Sequence, residues 1–197
     1  MNHVEHLKQH FLEGVELRTR MAETMPAQIF KAGEALAHAL KGGRKVLACG
    51  NGGSAADSQH FAAELVGRFE RERPGLPGIA LTTDTSALTA IANDYDFDRV
   101  FSKQIEALGQ AGDFLLAIST SGNSKNVIEA IKAAQAKDLV VIALTGRDGG
   151  AMGKMLRPGD FHLNVAHQRT MRVQEIHLLA IHCLCEVVDN VIFGEKK

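Results

Sequence analysis

The 197-residue sequence contains no tryptophan, one tyrosine, four prolines and three cysteines. The three cysteines, Cys49, Cys183 and Cys185, are odd in number and form no C-x-x-C pair, which argues against a disulfide framework and for a reducing compartment. No uncharged run of 18 apolar residues is present, and the N-terminus MNHVEHLKQHF lacks the apolar core of a secretory signal. A soluble, cytoplasmic protein with no membrane contact is expected. Excess charge is also missing: 22 basic and 23 acidic residues are well mixed, with a formal net charge of -1. That balance provides no basic face for a nucleic-acid backbone. An anionic ligand must therefore be small and held locally.

What is present is a real core, with 45% hydrophobic residues in a chain sized for one domain. Residues 1–42 carry two helical patterns broken near Pro26, and residues 43–197 alternate in period. KVLACG, GIALTT, DFLLAIST, LVVIALTG and FHLNVA, starting at 45, 78, 113, 139 and 161, read as strands buried on both faces. Helical stretches at about 54–69, 86–108 (in two pieces), 123–138 and 169–193 separate or follow them. This alternation predicts a single α/β domain with a doubly wound, five-stranded parallel sheet, KVLACG and DFLLAIST being central neighbours. GRFERERPGLPG at 67–78 reads as an excursion within the domain. Ligands of such folds sit where strands turn into helices at the carboxyl edge.

Two of those turns have the chemistry of an anion cradle. ISTSGNS at 118–124 places Ser119, Thr120, Ser121 and Ser124 around Gly122, ahead of a helix N-terminus whose N–H groups and dipole favour negative charge. The segment has no Gly-Lys pair and is too short for a P-loop, which points to a sugar phosphate or similar monophosphate. GNGGSA at 50–55 opens like a dinucleotide fingerprint. Its acid, Asp84, comes more than 30 residues later instead of about 20, which argues against a nicotinamide cofactor. Its glycines would instead let a ligand approach the backbone of Asn51, Gly52 and Gly53.

His60 and Glu64 share one face of the next helix, either as a surface i,i+4 pair or as half a site. In the last helix Gln174 and His182 fall on a stripe with Leu178, Ile181 and Cys185, while Glu175 and His177 point elsewhere. Polar groups in such a stripe need partners. Two histidines, a carboxylate and an amide would form a plausible site for a divalent ion such as zinc, with glutamine the weakest ligand.

CGNGGS, HFAAEL, AND at 92–94, LLAISTSGNS followed by N-V-I, ALTGRDGG, RVQEIH and AIH, in this order, resemble the sedoheptulose 7-phosphate (phosphoheptose) isomerases of the sugar isomerase (SIS) fold. The resemblance spans nearly the whole chain. It implies conversion of sedoheptulose 7-phosphate to D-glycero-D-manno-heptose 7-phosphate, the first step toward ADP-heptose for lipopolysaccharide. It also implies one zinc per subunit and a homotetramer with sites between subunits, and the apolar residues of the two N-terminal helices and the long last helix, more than one sheet face can cover, are expected to form the oligomer interface.

On matching positions, it implies zinc ligands His60, Glu64, Gln174 and His182. Substrate contacts would be Asn51, Gly52, Gly53, Ser54, Glu64, Asn93, Asp94, Ser119, Thr120, Ser121, Ser124 and Gln174, with Asp57 and Arg68 secondary. Glu64 as base and His182 as acid would carry the proton transfers. Met171 stands where some members carry an acid. Relatives of the same fold that act as adaptors for a replication-initiator protein form the alternative. They tend to lose the glutamate and final histidine, both retained here as Glu64 and His182.

Overall fold

A computed structural model describes residues 2–195. Helices α1 (His3–Thr24) and α2 (Pro26–Lys41) lead into β1 (Val46–Cys49) and α3 (Gly53–Val66). Then follow β2 (Gly78–Ala80), α4 (Thr85–Asp94), a 3-10 turn (Phe97–Arg99), α5 (Ser102–Leu108), β3 (Phe114–Ser119) and α6 (Lys125–Ala136). The chain ends with β4 (Val140–Gly146), α7 (Gly150–Met155), β5 (Phe161–Val165) and α8 (Thr170–Phe193). All strand pairs are parallel, in the order β2-β1-β3-β4-β5. That is the flavodoxin-like order, whose switch point lies between β1 and β3.

Period-2 alternation divides the core between the two sheet faces. Val46, Ala48, Phe114, Leu116 and Ile118 pack with Leu36, Phe61, Leu65, Ile181 and Leu184 from α2, α3 and α8. Leu47, Cys49, Leu115 and Ala117 pack with Ile105, Val127, Ile131 and Met152 from α5, α6 and α7. Burial of about 1.5–3 kcal/mol per large side chain makes this two-sided sheet the main source of stability.

The short helix α7 was not foreseen; its six residues are too few for a periodic signal. The edge strands β2 and β5 are only partly buried, unlike the continuous burial expected of every strand. The cysteines are free, and burial pushes the thiols of Cys49 and Cys185 well above their usual range. By length and hydropathy α8 would suffice to cross a membrane, yet it packs one side into the core.

Candidate active site

The two turns singled out in the sequence meet at the β1/β3 switch point. Asn51, from the turn after β1, and Asn126, in the first turn of α6, exchange side-chain amide hydrogen bonds of 2.8 Å in both directions. Within the serine turn, Ser119 Oγ lies 2.9 Å from Ser124 Oγ and 3.4 Å from Ser121 Oγ. Because the Ser124 hydroxyl is engaged there, it makes no capping bond to α6, and α3 also lacks a side-chain cap. The first N–H groups of both helices therefore lack side-chain acceptors, the arrangement that favours an anion.

Neighbouring backbone holds the serine turn from the far side. Gly122 adopts φ +65° and accepts a hydrogen bond from Met152 N–H, while Asn123 Oδ1 accepts from Ala151 N–H. A Cβ on Gly122 would lie 2.1 Å from the Gly149 carbonyl oxygen, so only glycine fits. Gly52, at φ +56°, has open space where its side chain would be. At Gly53 the Gln174 amide packs against the backbone, its Nε2 2.2 Å from the position a Cβ would take. Asp84, the would-be ribose ligand, caps α4 by accepting from Ala87 N–H at 2.9 Å.

The two half-sites of the helices do converge. His60 Nε2 stands 2.9 Å from His182 Nε2 and 3.2 Å from Glu64 Oε1, and one donor atom from each lies within 4.8 Å of the others. Tetrahedral zinc with bonds of about 2.0–2.1 Å sets its ligand atoms roughly 3.3 Å apart, so these three groups fit a metal. All three are half-buried, and Phe69 stacks on His182 at 5.8 Å between ring centroids. Gln174, on the N-terminal half of α8, lies against Gly53 at the start of α3, about two turns before His182 on its own helix.

The remaining expected contacts are more dispersed. Ser54 is buried at the start of α3, and Thr120 is half-buried beside the serines. Asn93 and Asp94 are exposed at the end of α4, hydrogen-bonded to each other at 2.8 Å and not to the serine turn. Arg68 is exposed and pairs with Glu72 at 3.8 Å. Asp57 keeps one buried oxygen without a partner, and burial raises its pKa against the opposing pull of His60. His177 does point away from the site, but into the core, where its Nε2 bonds the Thr145 carbonyl at 2.9 Å.

Two residues of structural weight were missed. Asn126 is a polar interruption in the buried stripe Asn126, Val127, Ala130, Ile131 and Ala134, a signal legible in the sequence. Arg73 lies in a charged run without periodicity. Its buried guanidinium pairs with Asp189 of α8 at 2.9 Å and donates to the carbonyls of Glu64 and Leu65 at 2.8 and 2.6 Å.

A parallel α/β sheet with two uncapped helix N-termini at its switch point, and a His/Glu/His group further along one of those helices, suits a small anionic ligand. Residues 9–146 match the SIS domain family. The phosphoheptose isomerases of Shewanella sp. (strain W3-18-1) and Shewanella baltica (strain OS155) are each 57% identical over 98% of both chains. The phosphoheptose isomerase GmhA from Neisseria gonorrhoeae superposes with a TM-score of 0.90 at 54% identity, covering 95% of this chain and 98% of that one. A phosphoheptose isomerase from Francisella tularensis gives 0.94 at 40% identity, covering 96% and 100%. The chain belongs to the SIS family and, within it, to the phosphoheptose isomerases, and it is a sugar-phosphate isomerase.

Proposed function

We propose that the chain interconverts sedoheptulose 7-phosphate and D-glycero-D-manno-heptose 7-phosphate in the cytoplasm, at the head of ADP-heptose synthesis for lipopolysaccharide. The observation that carries this reading is the convergence of His60, Glu64 and His182 beside a cradle built from two loops. The cradle, with Ser119, Thr120, Ser121, Ser124 and the backbone at Asn51 to Ser54, takes the phosphate. Asn93 and Asp94 contribute once a partner subunit completes the site. His60, Glu64 and His182, with Gln174 as a fourth and weaker donor, would hold zinc. A divalent ion held there would supply positive charge able to polarise the sugar carbonyl.

The protein's own groups account for the proton transfers. A residue that ligates an ion tightly is a poorer acid or base, so with Glu64 and His182 released to carry protons, Glu64 removes the C1 proton of the ketose while His182 donates a proton to the C2 oxygen, giving a neutral enediol. Returning the carried proton to C2 and withdrawing one from the C1 hydroxyl gives the aldose and restores both groups. A carboxylate and an imidazole are ordinary general base and general acid groups, which suits both steps. A homotetramer is supported by the exposed apolar residues of α1, Val4, Phe11 and Val15, and by an apolar groove of about 570 Å³ between α2 and α8.

The test is turnover of sedoheptulose 7-phosphate by purified protein with zinc supplied. Glu64→Gln keeps the shape and removes the base, so turnover should fall by roughly 10²-fold or more with folding intact. Wild-type protein without turnover would overturn the enzyme reading in favour of the adaptor. A stable monomer in light scattering at micromolar concentration would remove the shared site.

A further inference from the structure

Asn126 is 3% exposed, and its amide faces that of Asn51, which is half-buried in the glycine turn. Both 2.8 Å hydrogen bonds are reciprocal, each amide giving one N–H and accepting one. Turning either amide alone would set oxygen against oxygen and nitrogen against nitrogen, so each orients the other. The two residues are 75 apart in sequence, and they join the loop that opens α3 to the helix that follows the serine turn. The pair leaves each amide one N–H and spare oxygen acceptance. On the half-buried Asn51, that capacity is available to a ligand.

We infer that Asn126 is a positioning residue for phosphosugar binding, locking Asn51 and the glycine turn in register with the serine turn so that both N-termini address one anion. This rests on the sugar-phosphate reading of the site. The serine turn has its own supports in Gly122, Asn123 and the α7 backbone, so it holds its shape without Asn126. Among the described residues, the amide pair is the side-chain hydrogen-bonded tie between the glycine turn and α6. Loss of Asn126 therefore frees Asn51 and its loop and spares the serines. It weakens a contact made in substrate and transition state alike, which raises KM and leaves kcat nearly unchanged. A change in Glu64 has the opposite pattern.

The experiment is a double-substitution cycle of Asn126→Ala and Asn51→Ala, read by KM and kcat for sedoheptulose 7-phosphate and by the Kd of inorganic phosphate from calorimetry. Melting temperature is followed in parallel. Asn126→Ser, whose hydroxyl is too short to reach Asn51, serves as the second variant should alanine impair folding. Asn126→Ala should raise KM and the phosphate Kd about tenfold, and in the Asn51→Ala background it should add almost nothing. Additive effects, or a lowered melting temperature with unchanged phosphate Kd, overturn the proposal. Phosphate binding without turnover by wild-type protein overturns the substrate reading alone, and the phosphate Kd of the variants still decides the role of Asn126.

Discussion

Gly53→Ala separates the chemistry of the site from the stability of the fold. Gly53 opens α3 and is not among the residues with positive φ, so its backbone accepts alanine. Alanine is favoured over glycine in helices by up to about 1 kcal/mol. The new Cβ, however, would stand 2.2 Å from Gln174 Nε2 and 3.1 Å from its Cδ, where ordinary contact begins at 3.4 Å. The amide ends a flexible side chain, so it swings away by a little over ~1 Å at small cost to the fold. A displacement of that size at a group touching substrate or metal costs about 10²-fold in rate. Steady-state kinetics with calorimetric melting should show kcat/KM reduced on that scale and Tm within about 4 °C of wild type. Gln174→Ala should match it, and the double change should add little. Wild-type kcat/KM in Gly53→Ala, or additive losses, would refute the placement of Gln174 at the site.

Two further outcomes follow from buried charge. Arg73→Met leaves Asp189 buried without its partner, one Asp189 oxygen having none already, and should destabilise the fold by about 3–5 kcal/mol in denaturant titration; a loss under about 1 kcal/mol would contradict the ion pair's role. Burial lowers the His177 pKa to about 4, so between there and the ordinary 6.5 the unfolded chain binds a proton the folded chain does not. Stability should therefore be complete above about pH 6.5 and fall with decreasing pH, by at most ~1.4 kcal/mol per unit, flattening near pH 4. His177→Gln should remove that component of the slope between pH 7 and 5, and an identical slope would refute it.

The sheet was legible because β1, β3 and β4 are runs of four to seven residues, apolar but for Ser119 and Thr145 and buried on both faces except at Val140, which no surface helix tolerates. The helices flanking Pro26 were legible because proline suits a first helical position. His60 and Glu64 could be placed on one face from spacing alone. That His182 meets them is a tertiary fact, indicated in sequence only by polar groups interrupting an apolar stripe. The same signal at Asn126 went unused, since one buried asparagine beside a helix cap resembles ordinary turn chemistry. Arg73 gave no signal at all: a charged run such as GRFERER usually marks a solvated loop.

What fixes the distance between the two half-sites is that unsignalled arginine together with the core beneath it. Spacing along α3 sets His60 against Glu64, but nothing local relates α3 to α8. Phe61 and Leu65 pack in one cluster with Ile181 and Cys185, which brings the helices together but tolerates sliding. The Arg73 guanidinium, held to Asp189 and to the carbonyls of Glu64 and Leu65, has directional bonds to both helices and removes that freedom. His60 Nε2 faces both His182 Nε2 at 2.9 Å and Glu64 Oε1 at 3.2 Å, so a carboxylate and two imidazoles point at one shared space. A protein that only docked partners would gain nothing from holding such a group in register with a buried ion pair. The three donor atoms so held could serve a divalent ion, and keeping them in register is a feature an isomerase uses and a docking surface does not require.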